Sequence, residues 1–195
     1  MDKEQIKEYF DEHAGSWDAH MIRNEKAIEA ILDAAEIHEG ISVLDVACGT
    51  GVLFPDYIKR GVAFVTAVDI SPQMVTIART KYPQISIIKG DVEELDLVSK
   101  FDSIMIYNAF PHFPNPSAVI KSLAGKLKEN GRLTVAHGMS RAAIDDHHKG
   151  EAAKVSLGLI HEDELAALFE TAGLKVDVKI SDDEKYVVSG KPAAK

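Results

Sequence analysis

Residues 43–51 read "VLDVACGTG". An apolar, strand-like run ends at Asp45 and gives way to Ala47, Cys48, Gly49, Thr50 and Gly51, where side chains shrink almost to nothing. Gly49 and Gly51 permit a tight turn and let another group come close to the backbone. Amides at the start of the helix that follows favour an anionic group. Thr50 offers a hydroxyl to a ligand or caps that helix. The third small residue of a dinucleotide fingerprint is missing, because Val52, Leu53 and Phe54 come next, and there is no Gly-Lys-Ser/Thr of a phosphate loop. A carboxylate suits this turn better than a pyrophosphate does.

Working outward from the turn, strand-like and helix-like runs alternate. Strands are expected at 42–47, 64–70, 84–91, 101–110 and 132–138, and helices at 51–61, 71–82, 116–131 and 161–173. Ser71 and Pro72 open a helix, Pro55 must fall in a first turn, and Gly131 and Gly173 read as helix stops. Residues 174–181 and 185–191 form a closing pair, the one place where a hairpin is expected. This spacing predicts βαβ units, a parallel sheet covered on both faces, and a ligand crevice at the carboxyl ends of the strands. Four parts are expected within one domain spanning 1–195: a helical arm at 1–40, a core at 41–138, a lid-like insertion at 139–160 and a helix with hairpin at 161–195.

Composition narrows the partners. Of 195 residues, 46% are hydrophobic and 27% charged, as in an ordinary globular chain, and the net charge is −9. An acidic chain without basic runs is a poor match for a phosphate backbone, so no nucleic-acid partner is expected. No run approaches the ~18 apolar residues of a membrane span, and the charged start has no signal-peptide core. Cys48 is the only cysteine, which excludes an intrachain disulfide and fits a cytoplasmic setting. The expected partner is a small molecule, with the chain as monomer or homodimer.

Two acids stand at later strand ends. Asp69, in "AVDIS", lies 18 residues beyond Gly51, where a carboxylate can accept from both hydroxyls of a ribose; no Arg follows that would seat a 2′-phosphate. Asp91, in "KGDVEEL", can accept from an exocyclic amino group such as that of adenine. Ribose, adenine and a carboxylate without phosphates describe S-adenosylmethionine (SAM).

The succession "VLDVACGTG", "AVDISPQM", "KGDVEEL" and "FDSIMIYNAFPHF" resembles the class I SAM-dependent methyltransferases of the UbiE-like, small-molecule group (methyltransferase domain 11/25 type), over most of the chain. The resemblance implies a Rossmann-like, doubly wound, mostly parallel seven-stranded sheet with an antiparallel C-terminal strand. It also implies roles. Asp45 would orient the methionine end, in the stretch with Ala47, Cys48, Gly49, Thr50 and Gly51; Ala47 stands where many members have glycine. Asp69 would hold the ribose, with Ile70 and Met74 beside the adenine, and Gly90, Asp91 and Val92 would meet the base. Tyr107 and Asn108 would line the methionine side, while Tyr9, Phe10 and Trp17 close over the cofactor. S-adenosylhomocysteine would be the product.

His112, after the fourth strand, is the candidate base for an acceptor's proton, or shapes the pocket. His137, Arg141, His147 and His148 are candidate substrate contacts, and the three histidines are also the candidates for a metal, although their spacing matches no metal motif. Two other readings of the chain stay open: a SAM-binding module without catalysis, and a nicotinamide-dependent oxidoreductase.

Overall fold

A computed structural model describes residues 2–193, without the side chains of His147 and Glu151. Seven strands form one sheet: β1 (Ser42–Val46), β2 (Phe64–Asp69), β3 (Ser86–Lys89), β4 (Phe101–Tyr107), β5 (Leu127–His137), β6 (Leu174–Ser181) and β7 (Tyr186–Pro192), in the order β3-β2-β1-β4-β5-β7-β6. β7 runs antiparallel to both neighbours, and the other pairings are parallel. Because β1 lies between β2 and β4, the chain reverses its direction of travel across the sheet there, which opens a crevice at the carboxyl ends of β1 and β4.

The inner strands bury both faces, and successive residues supply two separate cores. Leu44 and Val46 of β1, with Ile104 and Ile106 of β4, pack against Val119, Ile120 and Leu123 of α5 (Pro116–Ala124) and Leu165 and Phe169 of α7 (Glu162–Thr171). Val43 and Met105 point the other way, to α2 (Glu25–Ala34), α3 (Phe54–Lys59) and α4 (Pro72–Lys81). Period-2 alternation therefore operates even where both faces of a strand are buried. The amino-terminal arm is two helices, α1 (Lys3–His20) and α2, each opened by a side-chain cap at Asp2 or Asn24.

The structure corrects three boundaries. The helix expected at 116–131 stops at Ala124, and Leu127 already pairs with Phe101. Gly131 is no helix stop. It sits in an irregular stretch of β5 where a Cβ would come within 2.7 Å of the Phe101 carbonyl, so close backbone packing demands the glycine. The fourth strand ends at Tyr107 and turns into a short 3-10 helix at Phe110–His112. The 139–160 segment holds α6 (Arg141–His147), capped by Ser140, and a 3-10 stretch at Gly150–Val155.

Candidate active site

The site grows from the turn after β1. Ala47, Gly49 and Gly51 all have positive φ (55°, 54° and 89°). A side chain in that region costs ~1 kcal/mol, which Ala47 carries and glycine would not. The two glycines are small for different reasons. A Cβ on Gly51 would strike the Phe54 ring at 2.5 Å, whereas one on Gly49 would project into open space on the crevice wall. Gly49 thus leaves room for something that is not protein.

Asp69 ties this turn to the tip of β2. One carboxylate oxygen accepts from the Gly49 amide at 2.8 Å and the other from the Ser71 amide at 2.9 Å. Each oxygen keeps a second lone pair for a hydroxyl donor. Burial pushes the Asp69 pKa up to about 6; the two amides hold it down and Asp11 adds to the rise. Asp45 lies beneath the turn, 2% exposed and off the crevice wall. Burial raises its pKa to about 8, an effect that the neighbouring Tyr57 hydroxyl only partly offsets.

Helix α1 roofs the crevice. Lys3, Asp11 and Asp18 are eight and seven residues apart, about two turns each, so they share one face. The Lys3 ammonium bonds the Asp91 carboxylate and lies 2.7 Å from Glu93, beyond β3. Asp11 accepts from the Ser71 hydroxyl and the Gln73 amide, beyond β2. Asp18 accepts from the Thr50 hydroxyl, beyond β1, and from Lys81 at 2.6 Å. The helix is latched across three successive strand tips, and Phe10 and Trp17 reach from it into the crevice. None of these three latches stood among the sequence candidates. Their two-turn spacing was visible, but their partners are remote in the chain.

The crevice and the open solvent at its mouth together span about 990 Å³. Ala47, Cys48, Gly49, Asp69, Ile70 and Met74 lie on its wall, as do Gly90, Asp91 and Val92, and so do Trp17, Tyr107, Asn108 and His112. Tyr9, Thr50 and Gly51 do not. The Thr50 hydroxyl goes to Asp18 and caps no helix; α3 begins at Phe54, and Leu53 before it supplies no side-chain cap. Tyr9 stacks on His13 at 4.2 Å. Asn108, at φ 52°, accepts from the Gly138 amide at 2.9 Å and so joins the ends of β4 and β5.

His112 is held on several sides. Its Nδ1 donates to the Val155 carbonyl at 2.6 Å, and its ring stands edge-on to Phe10 and tilted to His148, each 5.0 Å away. Burial lowers its pKa to about 4, with the Val155 carbonyl working the other way and His148 adding to the fall. His137 lies off the crevice wall, fully buried against Tyr186, and neither ring nitrogen finds a hydrogen-bond partner among the described residues. Arg141 is half-exposed and leans towards Asp145. The His148 Nδ1 lies 2.9 Å from the Ser156 hydroxyl, and the His147 side chain falls outside the described residues. Among the described residues no three His, Cys, Asp or Glu are arranged to hold a metal ion.

Residues 43–131 match the methyltransferase domain family. A malonyl-[acyl-carrier protein] O-methyltransferase of Priestia megaterium is 31% identical over 165 residues, covering 82% of this chain and 60% of that protein. These matches support a class I SAM-dependent methyltransferase. A ubiquinone biosynthesis O-methyltransferase of Xanthomonas oryzae pv. oryzae is 35% identical to this chain over 112 residues, 54% of the chain and 45% of the relative. The chain thus spans about half to three-fifths of the length of these relatives. In fold, it is similar to magnesium protoporphyrin IX methyltransferase from Synechocystis, solved with bound S-adenosylhomocysteine, at TM-score 0.75 and 19% identity over 98% of this chain and 100% of that one. A putative Haloferax volcanii methyltransferase structure, solved in complex with the Trm112 methyltransferase activator, gives TM-score 0.76 and 22% identity over 94% and 98%. No helix of the described residues is long and apolar enough to cross a membrane.

Proposed function

We propose that this methyltransferase binds SAM in the crevice and transfers its methyl group to an oxygen of a small-molecule acceptor. One observation carries the reading: Asp69 is pinned by two backbone amides so that its remaining lone pairs serve the crevice, directly beside the open face of Gly49. A ribose and an amino-acid tail fit that pairing. A pyrophosphate does not, because the only cation on the wall among the described residues, Lys3, is taken up by Asp91 and Glu93. The names of the two relatives, both O-methyltransferases, support oxygen as the receiving atom.

When bound, the cofactor supplies a methyl carbon already activated by its sulfonium. The chain's own residues then have three tasks. Asp69 and the Gly49 turn orient the donor, and α1 excludes water. Together with the residues around His112 they hold the reacting atoms ~3–3.5 Å apart and in line. His112 takes the acceptor's proton: its Nδ1 is committed to the Val155 carbonyl, which leaves the Nε2 lone pair unprotonated.

Calorimetry with SAM, S-adenosylhomocysteine and NADH tests the reading. Micromolar binding of the first two and none of NADH is expected. NADH binding without the others would make the chain an oxidoreductase. Cofactor binding with no S-adenosylhomocysteine release over a broad acceptor panel would reduce it to a binding module.

A further inference from the structure

We propose that the acceptor is an uncharged aromatic hydroxyl compound, a phenol, held with its ring against Phe10 and Trp17 and its O–H directed at His112. The proposal rests on the methyltransferase reading above and names the substrate class of that same site.

Charge on the wall is the first argument. The charged residues that line the crevice are Lys3, Asp69, Asp91 and Glu93, and Lys3 is tied to two of the three carboxylates. An anionic acceptor would meet a net negative wall that offers it no free cation among the described residues, the donor's sulfonium being its one counter-charge. Arg141, the cation of the 139–160 segment nearest in sequence to the strand tips, lies off the wall and turns to Asp145. Burying a carboxylate without a protein partner costs several kcal/mol, which selects against it. A protonated amine is no nucleophile. The acceptor therefore enters neutral.

Shape is the second. Phe10 meets the His112 ring edge-on at 5.0 Å and the Trp17 ring edge-on at 5.5 Å, so three flat groups border one part of the crevice. Such walls favour a flat apolar body, through offset or edge contacts worth about 0.5–1.5 kcal/mol each. The third argument is the base. With Nδ1–H on Val155, His112 presents an acceptor nitrogen, which selects an O–H donor. A part-buried imidazole kept neutral by desolvation is a weak base, so the hydroxyl must itself be fairly acidic. A phenol, at a pKa near ~10 like the tyrosine side chain, meets that need, and an aliphatic alcohol does not. In the transfer the new O–CH3 bond forms as the S–CH3 bond breaks. The electron pair of the broken bond stays on sulfur and the phenolic proton passes to His112 Nε2, so the crevice holds the same net charge before and after.

Trp17, the only tryptophan, makes its fluorescence the readout. With the protein saturated in S-adenosylhomocysteine at pH 7.5, 4-ethylphenol is expected to bind at least ~10-fold tighter than 4-ethylbenzoate. With SAM it should yield the methyl ether. His112→Gln should cut that turnover about 100-fold while S-adenosylhomocysteine affinity stays within twofold. Its residual rate should climb with pH as the phenol ionises, where the parent protein is flat. Equal or tighter binding of the benzoate, its methylation in place of the phenol, or no binding of the phenol while S-adenosylhomocysteine binds would each overturn the proposal. If S-adenosylhomocysteine itself fails to bind, the methyltransferase reading falls and the acceptor class falls with it.

Discussion

The two rims of the sheet treat their most buried carboxylates in opposite ways. At the amino-terminal rim Asp102 and Arg132 are both answered by opposite charge. Asp102, despite some burial, is held at about 2 by Lys128 and by the Ser42 amide and hydroxyl. Arg132, 3% exposed, forks onto both oxygens of Asp177 at 2.6 and 2.8 Å and reaches Glu36 at 2.8 Å. At the carboxyl-terminal rim Asp45 and Asp69 are more deeply buried than Asp102 and have no cationic partner, and both pKa values rise. One rim is built for stability. The other gives up stability to keep hydrogen-bonding capacity unspent, the usual mark of a functional site.

The comparison can be broken at either rim. The largest effect expected is on binding: Asp69→Ala removes two charge-assisted acceptors and should weaken S-adenosylhomocysteine at least ~100-fold, read by calorimetry, with little loss of fold. Unchanged affinity would refute the role given to this rim. Arg132→Met should do the reverse. It leaves Asp177 and Glu36 without their buried partner and should cost about 2 kcal/mol in urea unfolding, while cofactor affinity stays put.

A pH series sharpens the contrast. Asp45 keeps its proton in the folded chain up to about 8 but loses it near 3.8 when unfolded, so folding is weakened as pH rises through that window. Asp69 acts likewise from about 4 to 6. His112 and His137 oppose them. Their folded pKa values of about 4 and about 3 lie below the unfolded 6.5, so stability grows as pH rises towards 6.5. Above 6.5, of these four only Asp45 still titrates. Stability should therefore fall between pH 6.5 and 8, by up to about 2 kcal/mol, and Asp45→Asn should flatten that fall. The smallest effect concerns the strained turn: Ala47→Gly relieves a positive φ and should raise the urea midpoint by the equivalent of about 0.5–1 kcal/mol.

The turn, Asp69 and Asp91 were legible because their signals are local: small residues after an apolar run, and acids at strand ends. The misreading of 116–131 has the same origin. Leu127, Lys128 and Glu129 carry good helix formers, yet pairing with β4 overrides propensity, and Gly131 is explained only by the Phe101 carbonyl beside it. The arm was read as helical, with Phe10 and Trp17 over the crevice, but its latching residues were not read, since Lys3 finds Asp91 88 residues away and Asp11 finds Ser71 60 residues away. His112 was visible as a residue type at a strand end. Its tautomer was not, because the Val155 carbonyl that sets it comes from a segment without clear periodicity.

By itself the amino-acid order determined the alternation of strands and helices, the tight turn and the acids placed at strand tips, because backbone freedom, period and side-chain chemistry act within a few residues. Tertiary structure alone decided which carboxylates are neutralised and which are left unpaired, where α1 is latched and how the His112 ring is turned. Each of those is settled by groups brought together from distant parts of the chain, under a desolvation that exists only once the two cores have closed.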